Sequence, residues 1–312
     1  MRHTILDTDP GIDDALAFML ALSSPEIEIE AVTTVDGNVS QQQEHENAKR
    51  LLEFLERPDI PVAQGAERPL LRSRTHAESY HGKTGLGDAI LPKAIMKSDQ
   101  RTAAQLITEI VEQFENKITI VAIGPLTNIA LSIMLNPELP KMIEKLVIMG
   151  GAYNVTAYGC GNSSAVAEFN IWHDPEAAKI VFDSGIPMVC TGLDVTTHPE
   201  NRLNRQLFSQ IEEMGTKRSR LVVDLIRSVV VRYDGISLHD PLAIAYIINS
   251  SLFQTKRYRV NVETRGEFTE GMTVIDRRRW YNPQKEENIE IITEVDSKRF
   301  LNIIMNRIPS GD

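Results

Sequence analysis

Short apolar runs rich in β-branched residues alternate along the chain with longer stretches whose apolar positions recur every three to four residues. Residues 4–6 read as a strand, 13–22 as a helix apolar nearly all round, and 29–35 as the next strand. Over 41–56 the residues Ala48, Leu51, Leu52 and Leu55 fall on one stripe, the period of an amphipathic helix. Val62 lies in a short extended piece. Then come a helix over 102–114, a strand over 118–123, and a helix over 125–135 that places Pro125 in its first turn. A strand over 146–149, a helix over 175–184 and a strand over 188–191 follow. The last third mixes helices, about 205–231 and 241–248, with strands near 257–263 and 272–276. Such alternation predicts an α/β protein: a mostly parallel sheet flanked by helices, a Rossmann-like open core with its active site at the carboxyl ends of the strands. No internal repeat or low-complexity linker interrupts the pattern, so residues 1–312 are expected to form a single domain. Residues 66–100 and 150–170 have the character of long loops, which in a compact domain are usually functional.

Composition narrows the partners. A formal charge of −10 disfavours a nucleic-acid polymer, whose phosphates need clustered Lys and Arg. The short basic run Arg277, Arg278, Arg279 is read as a solvated turn. No stretch approaches the roughly 18 to 20 apolar residues of a membrane span. The first residues lack an apolar signal core, and two cysteines, Cys160 and Cys190, form no CxxC. The expectation is a cytoplasmic protein without zinc cluster or disulfide framework.

Candidate chemistry concentrates after the first strand. Asp7-Thr8-Asp9-Pro10-Gly11-Ile12-Asp13-Asp14 sets four aspartates within eight residues around a Pro-Gly turn. Asp13 and Asp14 are also explained as helix-start residues favoured by the macrodipole, but Asp7 and Asp9 are not. Crowded carboxylates resist ionising unless a cation neutralises them, and oxygen ligands select calcium or magnesium. The spacing is not that of an EF-hand. Further candidates follow later strands: Asp36-Gly37-Asn38, Gly124-Pro125-Leu126-Thr127-Asn128, Gly161-Asn162, Ala167-Glu168-Phe169-Asn170 and His239-Asp240-Pro241. Taken alone, Asp240 reads as an N-cap before a proline at the first helical position.

Together these blocks resemble the nucleoside hydrolase family. The DxDPGxDD signature stands at Asp7–Asp14, GNxxxxAEFN at Gly161–Asn170, and the terminal His-Asp pair at His239 and Asp240; GPLTNIA (124–130) and VIMGGA (147–152) also match. The resemblance implies calcium held by the carboxylates of Asp9, Asp14 and Asp240 and the main-chain carbonyl of Ile123. It implies a ribose held by Asp13 and Asn38 at its 2- and 3-hydroxyls, and by Asn162, Glu168, Phe169 and Asn170 elsewhere. Asp9 would also act as general base toward water, with His239 beside the leaving base and His81 on a mobile loop. The loop departs from a common family version, because Leu86 is followed by Gly87 and Asp88. Tyr233 is a candidate for base recognition in a region slightly shorter than in some relatives.

The implied reaction is calcium-dependent hydrolysis of the N-glycosidic bond of a ribonucleoside to base and ribose. It passes through an oxocarbenium-like sugar, with direct inversion by water. His81 together with His239 favours pyrimidine ribonucleosides, uridine or cytidine; a purine-inclusive inosine-uridine hydrolase is the alternative. A homo-oligomer, dimer or tetramer, is expected from the same resemblance. Asp7-Thr8-Asp9 also looks like the start of a haloacid-dehalogenase phosphotransferase, but Pro10-Gly11-Ile12 fits that continuation poorly. A non-catalytic calcium-dependent nucleoside or sugar binder would leave Asp9 without a purpose as base.

Overall fold

The computed structural model describes residues 1–278 and 287–310. Its strands are β1 (Arg2–Thr8), β2 (Ile27–Thr34), β3 (Val62–Gln64), β4 (Asp99–Thr102), β5 (Ile118–Ala122), β6 (Lys145–Met149), β7 (Met188–Thr191), β8 (Arg202–Asn204), β9 (Gly235–Ser237), β10 (Phe253–Val262), β11 (Thr273–Asp276) and β12 (Ile289–Val295). The main sheet runs β11-β10-β12-β7-β6-β5-β1-β2-β3-β4, and β8 pairs with β9 in a separate ribbon. From β4 to β12 every neighbour pair is parallel; at the other edge the pairs β12–β10 and β10–β11 are antiparallel, so β10 runs against its neighbours. The expected mostly parallel α/β sheet is what forms.

Burial on both faces explains why the central strands read as continuous apolar runs. Alternate residues enter two cores: Leu6, Val121, Val147 and Val189 pack on one side, Ile5, Ile120, Ile148 and Cys190 on the other. The first core also takes the helix Ile12–Leu22, in which every residue from Ile12 to Ala21 is buried. This helix is wedged between the sheet and the helix His239–Ile248, which explains its lack of a polar face.

Chain direction across the sheet decides where a site can form. From β1 the order proceeds to β2 and β3 on one side and to β5, β6 and β7 on the other. Such a reversal opens a crevice at the carboxyl ends of the strands. The segments after β1, β2, β5 and β6 all empty into it.

Three local readings are corrected. The helix expected over about 205–231 is two, Arg205–Met214 and Lys217–Tyr233. Gly215 between them adopts φ +63°, a left-handed position that ends the first, and the Thr216 side chain caps the second by accepting from Ser219 N–H. Pro125 precedes its helix, which starts at Thr127. Asp240 is not an N-cap: the helix begins at His239, which puts Asp240 inside its first turn. Strand β12 and the helix Ser297–Arg307 went unassigned in the sequence reading. Of the basic run, Arg277 and Arg278 are exposed, and Arg278 bonds Asp276; Arg279 lies outside the described residues. No described helix is long and apolar enough to cross a membrane.

Candidate active site

The turn after β1 is built around its own aspartates. Asp14 Oδ1 accepts from Thr8 Oγ1 at 2.6 Å, and Asp14 Oδ2 accepts from Gly11 N–H at 2.9 Å. One side chain therefore closes the turn while it starts the helix. Asp7 stands apart: buried, it accepts from Thr33 Oγ1 at 2.6 Å and Asn128 Nδ2 at 2.7 Å, tying β1 to β2 and to the helix after β5. Asp9 Oδ2 accepts from Asn38 N–H at 3.1 Å, whereas Asp9 Oδ1 is buried with no hydrogen-bond partner. The Asn38 amide donates to Asp9 O at 2.9 Å and to Asp14 Oδ2 at 3.2 Å, which leaves its Oδ1 for a ligand.

Two glycines permit this crowding. A Cβ on Gly37 would lie 2.1 Å from Asp9 Oδ2, and one on Gly124 would lie 2.7 Å from Asp9 Oδ1. The second contact sets the unpartnered oxygen against the Ile123–Gly124 turn. The Ile123 carbonyl itself accepts from Asn170 Nδ2 at 2.9 Å, and the same amide reaches Met149 O at 3.1 Å. Asn170 thus pins the ends of β5 and β6 together. Glu168 caps the short helix Phe169–His173, accepting from the N–H groups of Asn170, Ile171 and Gly151.

Asp240 arrives from the far side, carried by β9. Oxygens of Asp13, Asp14 and Asp240 all lie within 4.8 Å of one another, and the three side chains are buried. Burial, then repulsion from neighbouring carboxylates, pushes Asp9 and Asp240 well above the ordinary carboxylate range. The same causes raise Asp13 to about 7, and burial raises Asp14 to about 6. No Lys or Arg forms an ion pair with any of these four carboxylates among the described residues. A buried acidic group of this kind, with an orphaned oxygen and a main-chain carbonyl alongside, fits a hard divalent cation. The tightest trio contains Asp13 where the family resemblance named Asp9; the orphaned Asp9 Oδ1 faces the same cavity.

That cavity has a volume of about 600 Å³ and is lined by Asp9, Asp13, Asn38, Ile123, Asn162, Glu168, Phe169, Asn170, Tyr233, His81, His239 and Asp240 among others. All the site residues read from the sequence thus line it, except Asp14, which bonds from behind. His81 Nδ1 accepts from Ile12 N–H at 3.1 Å, so the neutral ring carries its proton on Nε2. Burial, then the neighbouring His239, pulls His81 down to about 3. His239 Nδ1 lies 2.8 Å from Thr196 Oγ1; burial, then the charge of Arg202, pulls it down to about 4. Both imidazoles are therefore neutral near pH 7, whereas an ordinary histidine titrates near there.

The comparisons agree with this geometry. A family profile described as inosine-uridine preferring nucleoside hydrolase matches residues 4–302. The chain belongs to the nucleoside hydrolase family. It is 39% identical over 311 residues to the pyrimidine-specific ribonucleoside hydrolase RihA of Escherichia coli O1:K1, with 97% of each chain covered. Among solved structures, a plant nucleoside hydrolase superposes with a TM-score of 0.91 at 31% identity, covering 99% of both chains. The purine-preferring ribonucleoside hydrolase from Gardnerella vaginalis does so with a TM-score of 0.89 at 33% identity, covering 99% of this chain and 98% of that one. This nucleoside hydrolase is thus a ribonucleoside hydrolase acting on N-glycosyl bonds of small nucleosides.

Several cavity residues of this nucleoside hydrolase escaped the sequence reading. Tyr80, next to His81, packs edge-on to it at 5.0 Å and stacks on Tyr233 at 6.0 Å. Trp172, Thr197 and Arg202 also line the wall. Tyr80 was findable as a ring adjoining a marked histidine. Arg202 carried no local signal.

Proposed function

We propose that the chain hydrolyses pyrimidine ribonucleosides with calcium held by Asp9, Asp14, Asp240 and the Ile123 carbonyl. The observation that carries this reading is the convergence of buried, cation-free carboxylates on one cavity, with Asp9 Oδ1 left unpartnered beside Ile123. A calcium ion there supplies Lewis acidity toward water and toward the paired hydroxyls of a ribose. Asp13 and the free Oδ1 of Asn38 meet the 2- and 3-hydroxyls. Asn162, Glu168 and Asn170 take the remaining sugar oxygens, and Phe169 packs beside them. Asp9 accepts a proton from the attacking water, and the surrounding carboxylates favour positive charge developing on the sugar. His81 offers Nε2–H toward the departing base, and His239 offers it a hydrogen bond; Tyr233 flanks it. Pyrimidine preference is supported by 39% identity to a pyrimidine-specific relative, against 33% and 31% to purine-acting ones. A homo-oligomer, dimer or tetramer, and a cytoplasmic setting complete the proposal.

The test is a panel of ribonucleosides incubated with purified protein and resolved by HPLC, alongside metal analysis. Release of uracil and cytosine faster than hypoxanthine or adenine, with about one calcium per chain, is the expected result. Faster purine release overturns the base preference, zinc overturns the metal, and intact nucleosides overturn the enzymatic reading.

A further inference from the structure

The base side of the cavity holds one group that the reaction as described does not use. Among the described residues lining the cavity, Arg202 is the only Lys or Arg. It forms no ion pair with any described carboxylate, although the cavity is rich in them. Its Nη2 donates to the carbonyls of Tyr233 at 3.1 Å and Gly235 at 3.0 Å, which fixes the guanidinium plane. Its Nε is buried and has no partner. Buried donors are seldom left unpaired, and a guanidinium offers five N–H donors of which these contacts use only part.

Where the group sits follows from strand pairing. In the β8–β9 ribbon Arg202 stands opposite Ser237, two residues before His239, and Ser237 lines the same wall. The Tyr233 carbonyl that Arg202 holds belongs to the residue whose ring stacks on Tyr80. Arg202 therefore lies near Tyr80, Tyr233 and His239, and the charge of its guanidinium acts on Tyr80 and His239.

We propose that Arg202 is a leaving-group residue: its guanidinium receives the carbonyl oxygen of the departing base and stabilises the negative charge that develops there. The proposal rests on the nucleoside-hydrolase reading of this cavity and adds a role to it. In the step concerned, the C1′–N bond breaks and its electron pair goes to the base. Water contributes its oxygen to C1′ and a proton to Asp9. In uracil or hypoxanthine the incoming charge spreads onto the carbonyl oxygens, where a cationic donor is worth more than a neutral one. The base anion is then protonated from solvent, and Asp9 returns its proton to solvent. Among the described residues that line the cavity, Arg202 carries the one guanidinium or ammonium. Planar donors also match a carbonyl flanked by a ring nitrogen better than an ammonium would.

The experiment compares two substrates on wild-type enzyme, Arg202→Met, Arg202→Lys and Arg202→Ala: uridine, whose base needs charge stabilisation to leave, and p-nitrophenyl riboside, whose nitrophenolate leaves readily. Arg202→Met should lower the ratio of kcat/KM for uridine to that for p-nitrophenyl riboside by about 10²-fold or more, the scale of losing one transition-state donor. Most of the loss should lie in kcat, with calcium content unchanged. Arg202→Lys keeps the charge without the planar fork and should fall between. In Arg202→Ala, added guanidinium chloride at millimolar concentration should restore uridine turnover saturably without speeding p-nitrophenyl riboside. Equal losses on both substrates would show that Arg202 only braces the Tyr233–Gly235 backbone and would overturn the proposal, as would an unchanged ratio. If Arg202→Met does not fold, the lysine ratio and the guanidinium rescue decide alone: wild-type ratio in the lysine variant with no rescue refutes it. Wild-type enzyme inert toward both substrates would instead refute the nucleoside-hydrolase reading.

Discussion

Calcium should act on the stability of this protein as well as on its catalysis, and the size of the effect can be worked out. Asp9, Asp13, Asp14 and Asp240 are buried together and repel one another, and among the described residues no Lys or Arg is paired with them. A ligand that binds only the folded chain stabilises it by RT ln(1 + [L]/Kd), about 4.1 kcal/mol at 1,000-fold excess over Kd. With a melting entropy of about 2.1 cal/mol/K per residue, 312 residues give about 0.66 kcal/mol/K. The melting temperature should therefore rise by about 6 °C at that excess, and by about 2 °C for each further tenfold in free calcium. Asp240→Asn separates the two halves of the argument. It keeps the side-chain volume but removes one ligand charge and one repelling charge from a residue only 3% exposed. The metal-free variant should melt at or above metal-free wild type, and its calcium shift should shrink below about 2 °C. Differential scanning fluorimetry across a calcium series, after stripping with chelator, measures both. A full calcium shift in Asp240→Asn would refute the assignment of Asp240. A metal-free variant less stable than metal-free wild type would refute the idea that the cluster is held together against its own repulsion.

Other outcomes follow from single contacts. Asp9→Asn removes the proton acceptor at nearly constant size, so kcat on uridine should fall by about 10² to 10⁴; near-normal turnover with calcium bound would free Asp9 of the role. Uridine should be favoured over deoxyuridine by up to about 10⁴ to 10⁵ in kcat/KM, because a site that pairs with the 2-hydroxyl is left unsatisfied without it; comparable values would contradict the sugar contacts. Gly37→Ala puts a Cβ 2.1 Å from the present position of Asp9 Oδ2, so Asp9 must move; kcat should drop at least about tenfold while the fold survives a cost of about 1 to 3 kcal/mol, read by steady-state assay and thermal melt. His45, held by Ser98 Oγ at 2.7 Å, is pulled down to about 4 by burial. Its folded pKa lies below its unfolded one, so its stabilising share is complete above about pH 6.5 and is lost as the pH falls toward 4. His45→Gln should flatten that part of the acid-stability curve; an unchanged slope would dismiss it.

How far the sequence reached can be traced through particular residues. By itself it determined the parallel α/β sheet, because strands buried on both faces must be apolar throughout and leave runs such as 118–123. It determined the family, because the four aspartates of 7–14 and the His239–Asp240 pair are written contiguously. It marked Asp9, Asp13, Asn38, Glu168, Asn170 and Asp240 as a set. Only the tertiary structure decided how these divide. Asp7 and Asp9 look alike in the chain, yet Asp7 lies inside β1 and is held by Thr33 and Asn128, whereas Asp9 lies past the strand's end, in the turn, and lines the cavity. The break at Gly215 was misread because a left-handed glycine leaves the apolar period almost unchanged across it. Arg202 was invisible because its meaning depends on β8 pairing with β9, over thirty residues away, which alone brings a cation to the wall of His239. Local pattern encodes period and composition, but the assignment of charge to one side of a cavity is a property of strands that meet only when the chain has folded.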